Sequence, residues 1–447
     1  MKQEDREHMM DIHTAESRLS EALRLFQDIR DPELPQADFV YQYPPSITLG
    51  RPPPWELKQL PESLALYVHV PFCPTRCAFC HYYRITDPEP ALIEEYHALL
   101  SKELELWRQK IQKLGDPKSI QIPAIYLGGG TPTYLASQGI RHILDSIRKI
   151  FNVRKSAEIC VEATPDTIPR KKLEDLKRIG VTRISIGVQS FQNQLLQKLN
   201  RSHSAEQAKR AIQDAKDLFS INIDLLYGYQ SPMEWLDDLA TSIELAPDFI
   251  TAFRLRAKPG TPIQLPEGLA TRRGLLFMHW LAIQELEEAG YSMLYNNQWA
   301  KEGTFAFQDI KWKGDEFIGL GPSSYSYVDG LVCNNYPRIQ DYRNSICSGK
   351  LPFGVAECLE EDEQHRRTEV LGIRSADGIP ERGLDTKDLE RQGLIERAGD
   401  RIRATRKGML FMDEISASFF SESVRRRMED AQEQGIEAAA IQKSWED

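Results

Sequence analysis

Residues 64–80 read LALYVHVPFCPTRCAFC: an apolar run over 64–70, then Cys73, Cys77 and Cys80 in a C-x3-C-x2-C loop. A short, continuous apolar run closed by proline predicts a strand covered on both faces. Working outward, five more such runs follow, at 124–129, 158–163, 183–189, 221–228 and 249–255. Helical spacing of apolar residues separates them at 91–111, 138–151, 171–179, 205–218 and 233–245. This alternation predicts an α/β fold with a parallel sheet closed or half-closed into a barrel. In such folds the chemistry sits at the C-terminal strand ends. The unusual residues fall there too: the three cysteines, Gly128 to Thr133, Glu162, Gln189, Asp224 and Arg256.

A chain of 447 residues suits a large catalytic domain with appendages. Residues 1–60 read as a helix and a proline-rich strap, 61–345 as the barrel, 350–420 as a small winged-helix-like domain with a hairpin at Gly399 and Asp400, and 421–447 as a charged helix. The longest apolar runs are too short to span a bilayer. The charged start MKQEDREHMM is unlike a secretory signal, so the cytoplasm is the expected compartment and disulfides are not expected. The 56 basic and 66 acidic residues, net charge −10, argue against nucleic acid as a partner and for a small organic molecule. The basic residues of the C-terminal hairpin, Arg397, Arg401 and Arg403 among them, read as a solvated wing.

Three thiolates this close can share one iron–sulfur cluster. A zinc site completed by His69 or His81, or three buried free thiols, are the alternatives. Glycines at 128–130 let a strand end approach a ligand closely. Glu162, a carboxylate ending a buried strand, needs a partner such as a ribose hydroxyl or an ammonium. These downstream positions favour the cluster.

The chain resembles the radical S-adenosylmethionine (SAM) superfamily and, within it, the oxygen-independent coproporphyrinogen III oxidase (HemN-like) group. The motifs that carry this are YVHVPFC at 67–73, LGGGTPT at 127–133, VEA at 161–163, IGVQS at 186–190, LNR at 199–201 and NIDLLYG at 222–228. The resemblance implies a (β/α)6 partial TIM barrel with a HemN-type C-terminal domain. It also implies a [4Fe–4S] cluster on Cys73, Cys77 and Cys80, leaving one iron open for SAM. Tyr67, Phe79, Gly129, Gly130, Glu162 and Tyr325 would meet the first SAM, with Tyr67 and Glu162 placed catalytically. Gly130, Thr131, Gln189, Arg201, Asp224 and Ala257 would meet a second SAM.

The activity so implied is one-electron cleavage of SAM to a 5′-deoxyadenosyl radical, fed by a reducing partner such as flavodoxin or ferredoxin. The group departs from this sequence at two places. Its oxidases carry a fourth cysteine where Tyr82 stands, and its haem-chaperone branch carries a His-Asn-x-x-Tyr-Trp motif where residues 307–312 read FQDIKW. On this ground the leading expectation is one-carbon transfer, of a methyl or a methylene (cyclopropane) group, from the second SAM to an organic substrate. Coproporphyrinogen III dehydrogenation and a haem-chaperone-like role are the alternatives. His81 and Tyr82, next to the cluster loop, are left without an assigned role.

Overall fold

The computed structural model describes residues 3–258, 260–264, 271–382 and 384–434, with side chains from residue 14 onward. Six parallel strands stand at its centre: β1 (Ala65–Val70), β2 (Gln121–Gly129), β3 (Asn152–Ala163), β4 (Arg183–Gln189), β5 (Ser220–Tyr227) and β6 (Phe249–Arg254). Each matches a run expected from sequence. The sheet continues beyond them with β7 (Ser292–Tyr295), β8 (Gln298–Ala300), β9 (Phe317–Leu320), β10 (Tyr325–Val328), β11 (Leu331–Asn335) and β12 (Phe353–Cys358). The order is β12-β11-β10-β9-β1-β2-β3-β4-β5-β6-β8-β7, so the sheet curls without closing. It is an α/β fold, an open part-barrel as expected.

Alternation along each strand explains the two apolar layers. Leu66, Val68 and Val70 of β1 pack outward into the main core under the helices, while Tyr67 turns into the barrel. There it joins Tyr126, Cys160, Phe249, Phe305, Phe307 and Phe317 in an interior cluster. Lower down, Arg183 pairs with Glu158 at 2.8 Å and is sandwiched between the Phe249 and Phe305 rings at 3.9 and 4.2 Å. A buried charge so paired and stacked closes the floor of the barrel.

The expected helices appear as Pro90–Gln112, Ser137–Ile150, Arg170–Arg178, Ala205–Lys216 and Pro232–Leu245. Sequence reading overlooked Arg272–Glu288, which covers the far edge of the barrel. Eleven consecutive residues from Leu276 to Leu286 are buried, so no polar face marks its period. Residues 357–374, whose charged pattern alone predicts one helix, divide into the end of β12, which belongs to the main sheet, and a helix at Glu361–Gly372.

Beyond it a small sheet of Ile379–Pro380, Ile395–Ala398 and Arg401–Ala404 forms, with the expected hairpin turning at Gly399. A helix, Glu422–Glu433, follows; the rest of the expected charged C-terminal helix lies outside the described residues. Among the described residues no helix is long and apolar enough to cross a membrane.

The N-terminal helix, Gln3–Phe26, leads into the expected strap, which runs across the barrel mouth to the C-terminal elements. Asp38 on the strap pairs with Arg256 and Lys258 just past β6. Asp413 accepts from Arg256 and Arg374, both at 2.8 Å, and from the Val40 backbone N–H at 3.2 Å. Strap, barrel and C-terminal elements thus share one ion network at the mouth.

Candidate active site

The thiol loop follows β1 directly. Cys73 is buried and Cys77 and Cys80 are half-buried, and all three are free. The loop is held from outside by one main-chain bond and one from a side-chain amide: Ala78 N–H donates to the Leu199 carbonyl at 2.9 Å, and Asn200 Nδ2 to the Arg76 carbonyl at 2.6 Å. Those partners belong to the Leu-Asn-Arg motif at 199–201, which is why the motif accompanies the cysteines. Arg201 then turns inward, donating from Nη1 to Cys77 Sγ at 3.0 Å and from Nη2 to the Gly187 carbonyl at 2.7 Å. Thr131 Oγ1 lies 3.8 Å from Cys73 Sγ.

The residues fit an iron–sulfur cluster. Burial pushes the Cys73 thiol up to about 12 and raises Cys80, so these two are neutral thiols in the bare loop and a cationic cluster core would draw their protons off. The buried Nε of Arg201 has no hydrogen-bond partner, as expected beside a site that a cofactor completes. Among the described residues no histidine converges with the thiols as a further ligand of one metal ion would.

Opposite the loop, the Gly-rich end of β2 is shaped for close approach. A Cβ on Gly128 would stand 2.9 Å from Glu162 Oε1, and one on Gly130 would stand 2.6 Å from the Phe72 carbonyl and 3.0 Å from Cys73 Sγ. Gly129 has φ +110°, a conformation that L side chains rarely adopt.

Glu162 accepts from Tyr126 O–H at 2.6 Å and from the Gly129 N–H at 3.2 Å. Burial, opposed by that tyrosine bond and reinforced by nearby Asp224, raises its carboxyl to about 7. Its partner is thus a tyrosine, not a basic side chain, which leaves capacity for a ligand's hydroxyl or ammonium. Asp224, raised by burial to about 6, is held by Asn222 at 2.9 Å and Ser185 at 3.1 Å.

Tyr67, Gly129, Gly130, Thr131, Glu162, Gln189, Arg201 and Asp224 therefore line one interior, with the three thiols at its rim. Gln189 is left-handed at φ +70°, a strained backbone that turns the strand end over Gly187. Phe79 packs apart from these, against Leu199, Leu226 and Ile263. Tyr325 stands on the opposite wall, accepting from Arg367 at 2.8 Å. Ala257 is exposed beside the Arg256 network.

Sequence reading missed Tyr126, and it weighed His69 only as a zinc ligand. Tyr126 sits mid-strand, where a tyrosine counts as apolar, yet it fixes Glu162 and packs 6.1 Å from Tyr67. His69 Nδ1 lies 3.1 Å from the Tyr67 hydroxyl, and burial lowers its imidazole to about 4, so it is neutral. Phe307, at the position where the haem-chaperone branch has its histidine, is buried 5.1 Å from Tyr126.

The profile of the Radical SAM superfamily matches residues 67–241. The heme chaperone HemW of Haemophilus influenzae is 32% identical over 394 residues, covering 80% of this chain and 98% of the relative. The oxygen-independent coproporphyrinogen III oxidase of Bradyrhizobium diazoefficiens is 27% identical over 420 residues, covering 84% and 91%. Among solved structures, coproporphyrinogen III oxidase (HemN) of Escherichia coli superposes with a TM-score of 0.73 at 21% identity, covering 86% of this chain and 99% of that one. These full-length likenesses correct the expectation of methyl or cyclopropane transfer: the relatives carry the names of the two alternatives. The expectation rested on Tyr82 replacing a cysteine at the rim, and one rim residue does not set a reaction class that the whole substrate cavity determines.

Proposed function

We propose, from the premise that this chain belongs to the radical SAM superfamily and within it to the HemN-like group, that it acts on a carboxylate-bearing tetrapyrrole by oxidative decarboxylation of the coproporphyrinogen III type. The observation that carries this reading is the interior cradle of Tyr67, Tyr126, Glu162 and the glycines of β2, built against the three thiols. A [4Fe–4S] cluster on Cys73, Cys77 and Cys80 supplies, when bound, the electron for cleaving SAM. The chain's own residues do the rest. Glu162 and Gly129 present an acceptor and a close backbone edge to SAM, while Tyr67 and Phe307 wall the interior against water. The electron comes from a reducing partner such as flavodoxin.

Release of carbon dioxide from coproporphyrinogen III and of 5′-deoxyadenosine from SAM, with dithionite as reductant and an added one-electron acceptor to take the substrate radical's electron, tests this reading. Neither product appearing would overturn it. A second reading, haem handling, is favoured by the name that the H. influenzae relative bears. Phe307 removes the histidine of that branch, and its buried ring offers no axial ligand. Titration of the cluster-free protein with haem separates the two: a saturable, shifted Soret band supports haem handling.

A second SAM is part of this proposal. Gln189, Arg201 and Asp224 face one another at the ends of β4 and β5, with cation and acceptor complementary to an amino acid and a ribose. Arg201→Ala is expected to remove one of two SAM-binding steps, weakening it about tenfold or more through loss of a charge-assisted contact. A single SAM per chain at saturation in the wild type would sink the two-cofactor arrangement.

A further inference from the structure

One wall of the interior carries more positive charge than its neighbours balance. Cations and rings alternate along it: Arg256 lies 5.9 Å from the Phe39 ring, Arg374 lies 5.0 Å from Phe39 and 5.1 Å from Trp312, and Lys311 lies 4.5 Å from Trp312. At the Arg256 end, Asp38 and Asp413 neutralise the row. At the Lys311 end no carboxylate does: among the described residues Lys311 has the Trp312 ring as its contact and no ion pair.

Arg367 joins the row, stacked over the Tyr327 ring at 3.9 Å with the Asp315 carboxylate in its field, so that Lys311 is the cation left without a carboxylate. Arg367 is fully buried, its Nε and Nη1 have no partner, and its Nη2 donates to the Tyr325 hydroxyl at 2.8 Å. With that oxygen accepting, the proton of Tyr325 is available for donation elsewhere. Burial, then Arg374 and Arg367, pull the half-buried Lys311 ammonium down to about 8. Lys311 stands one helical turn beyond Phe307, whose ring meets Tyr67 and Tyr126 inside the barrel, and so shares its face. Donors gathered without an acceptor in a half-buried place are costly unless an anion arrives to use them.

We propose that Lys311 and Tyr325 anchor a carboxylate of the organic substrate, with Arg367 as the positioning residue that holds the Tyr325 hydroxyl. The inference rests on the tetrapyrrole reading, in which a propionate side chain supplies that carboxylate. SAM also carries a carboxylate, and the test separates the two sources.

Full-length holoprotein is titrated anaerobically with coproporphyrin III and with its tetramethyl ester, read by tryptophan fluorescence. Lys311→Met is expected to weaken coproporphyrin III roughly tenfold, the loss of one charge-assisted contact, while leaving the ester, SAM affinity and melting temperature unchanged. Lys311→Arg should restore most of the affinity. Tyr325→Phe and Arg367→Met should each weaken binding, and their double variant no further than either alone. Unchanged coproporphyrin III affinity in Lys311→Met would overturn the anchor. So would an equal loss for the ester, which indicates packing, or a loss of SAM affinity instead, which assigns the carboxylate to the cofactor.

A second measurement keeps the anchor and the tetrapyrrole reading apart. Reductive methylation of Lys311, followed by peptide mass spectrometry, is expected to slow in the presence of sodium propionate. Shielding by propionate in a wild type that binds no porphyrin keeps the anchor and removes the tetrapyrrole reading. Porphyrin binding without shielding, and without a variant effect, does the reverse. Neither binding nor shielding overturns both.

Discussion

The protein carrying Cys73→Ala, Cys77→Ala and Cys80→Ala is expected to emerge colourless and free of cluster iron, where the wild type is brown and binds about four irons per chain. The loop that presents these thiols is tied by a main-chain bond from Ala78 to Leu199 and by the Asn200 side-chain amide to the Arg76 carbonyl, neither of which uses a sulfur. Removal of one buried and two half-buried thiols therefore costs about 1 kcal/mol each in stability, and the barrel persists. Circular dichroism like that of the wild type, together with loss of the visible absorbance band, is the expected pair of results. Retention of the band would place the iron elsewhere.

Glu162→Ala is expected to lower 5′-deoxyadenosine formation about a hundredfold with the cluster intact, since a small misplacement of reacting atoms costs rates of that order. Tyr126→Phe should act in the same direction more weakly, because it removes the 2.6 Å bond that orients Glu162. The pH dependence follows from the raised carboxyl. Its protonated form fills the lower pH range up to about 7, and its acceptor form is gained as pH rises through that value. SAM affinity in the wild type should therefore rise from pH 6 to pH 8, while Glu162→Gln loses the rise centred near pH 7 and keeps only the smaller one that Asp224 gives near pH 6. A flat wild-type profile, with normal 5′-deoxyadenosine yield in Glu162→Ala, would return Glu162 to a structural role.

The parallel barrel was legible because its strands are covered on both faces and read as unbroken apolar runs, and because function-bearing residues cluster at one end of each. The glycines of β2 were legible for the same reason that the structure requires them: a side chain there would strike Glu162, His69 or Cys73. Tyr126 was not legible, since its hydroxyl acts only once β2 and β3 lie side by side in register. Lys311 read as one of many lysines on a polar helix. Its setting appears only when Arg367 and Arg374, which are far away in sequence, are brought around it and its neighbour Trp312. Reaction class was the least legible property, because it depends on the size and charge of a cavity assembled from strap, barrel and C-terminal residues together.

That shared assembly bears on the order of events during synthesis. Val40 and Asp413, joined by a hydrogen bond at the mouth, are 373 positions apart. A ribosome delivers the strap first and its docking partner last, so the six central strands and the thiol loop are all made before the mouth can be fastened. During that interval the three thiols face an open barrel. The thiol loop is thus complete on the nascent chain while the mouth is still unfastened, and Cys77 and Cys80, half-buried at the rim, stay partly exposed once it is fastened.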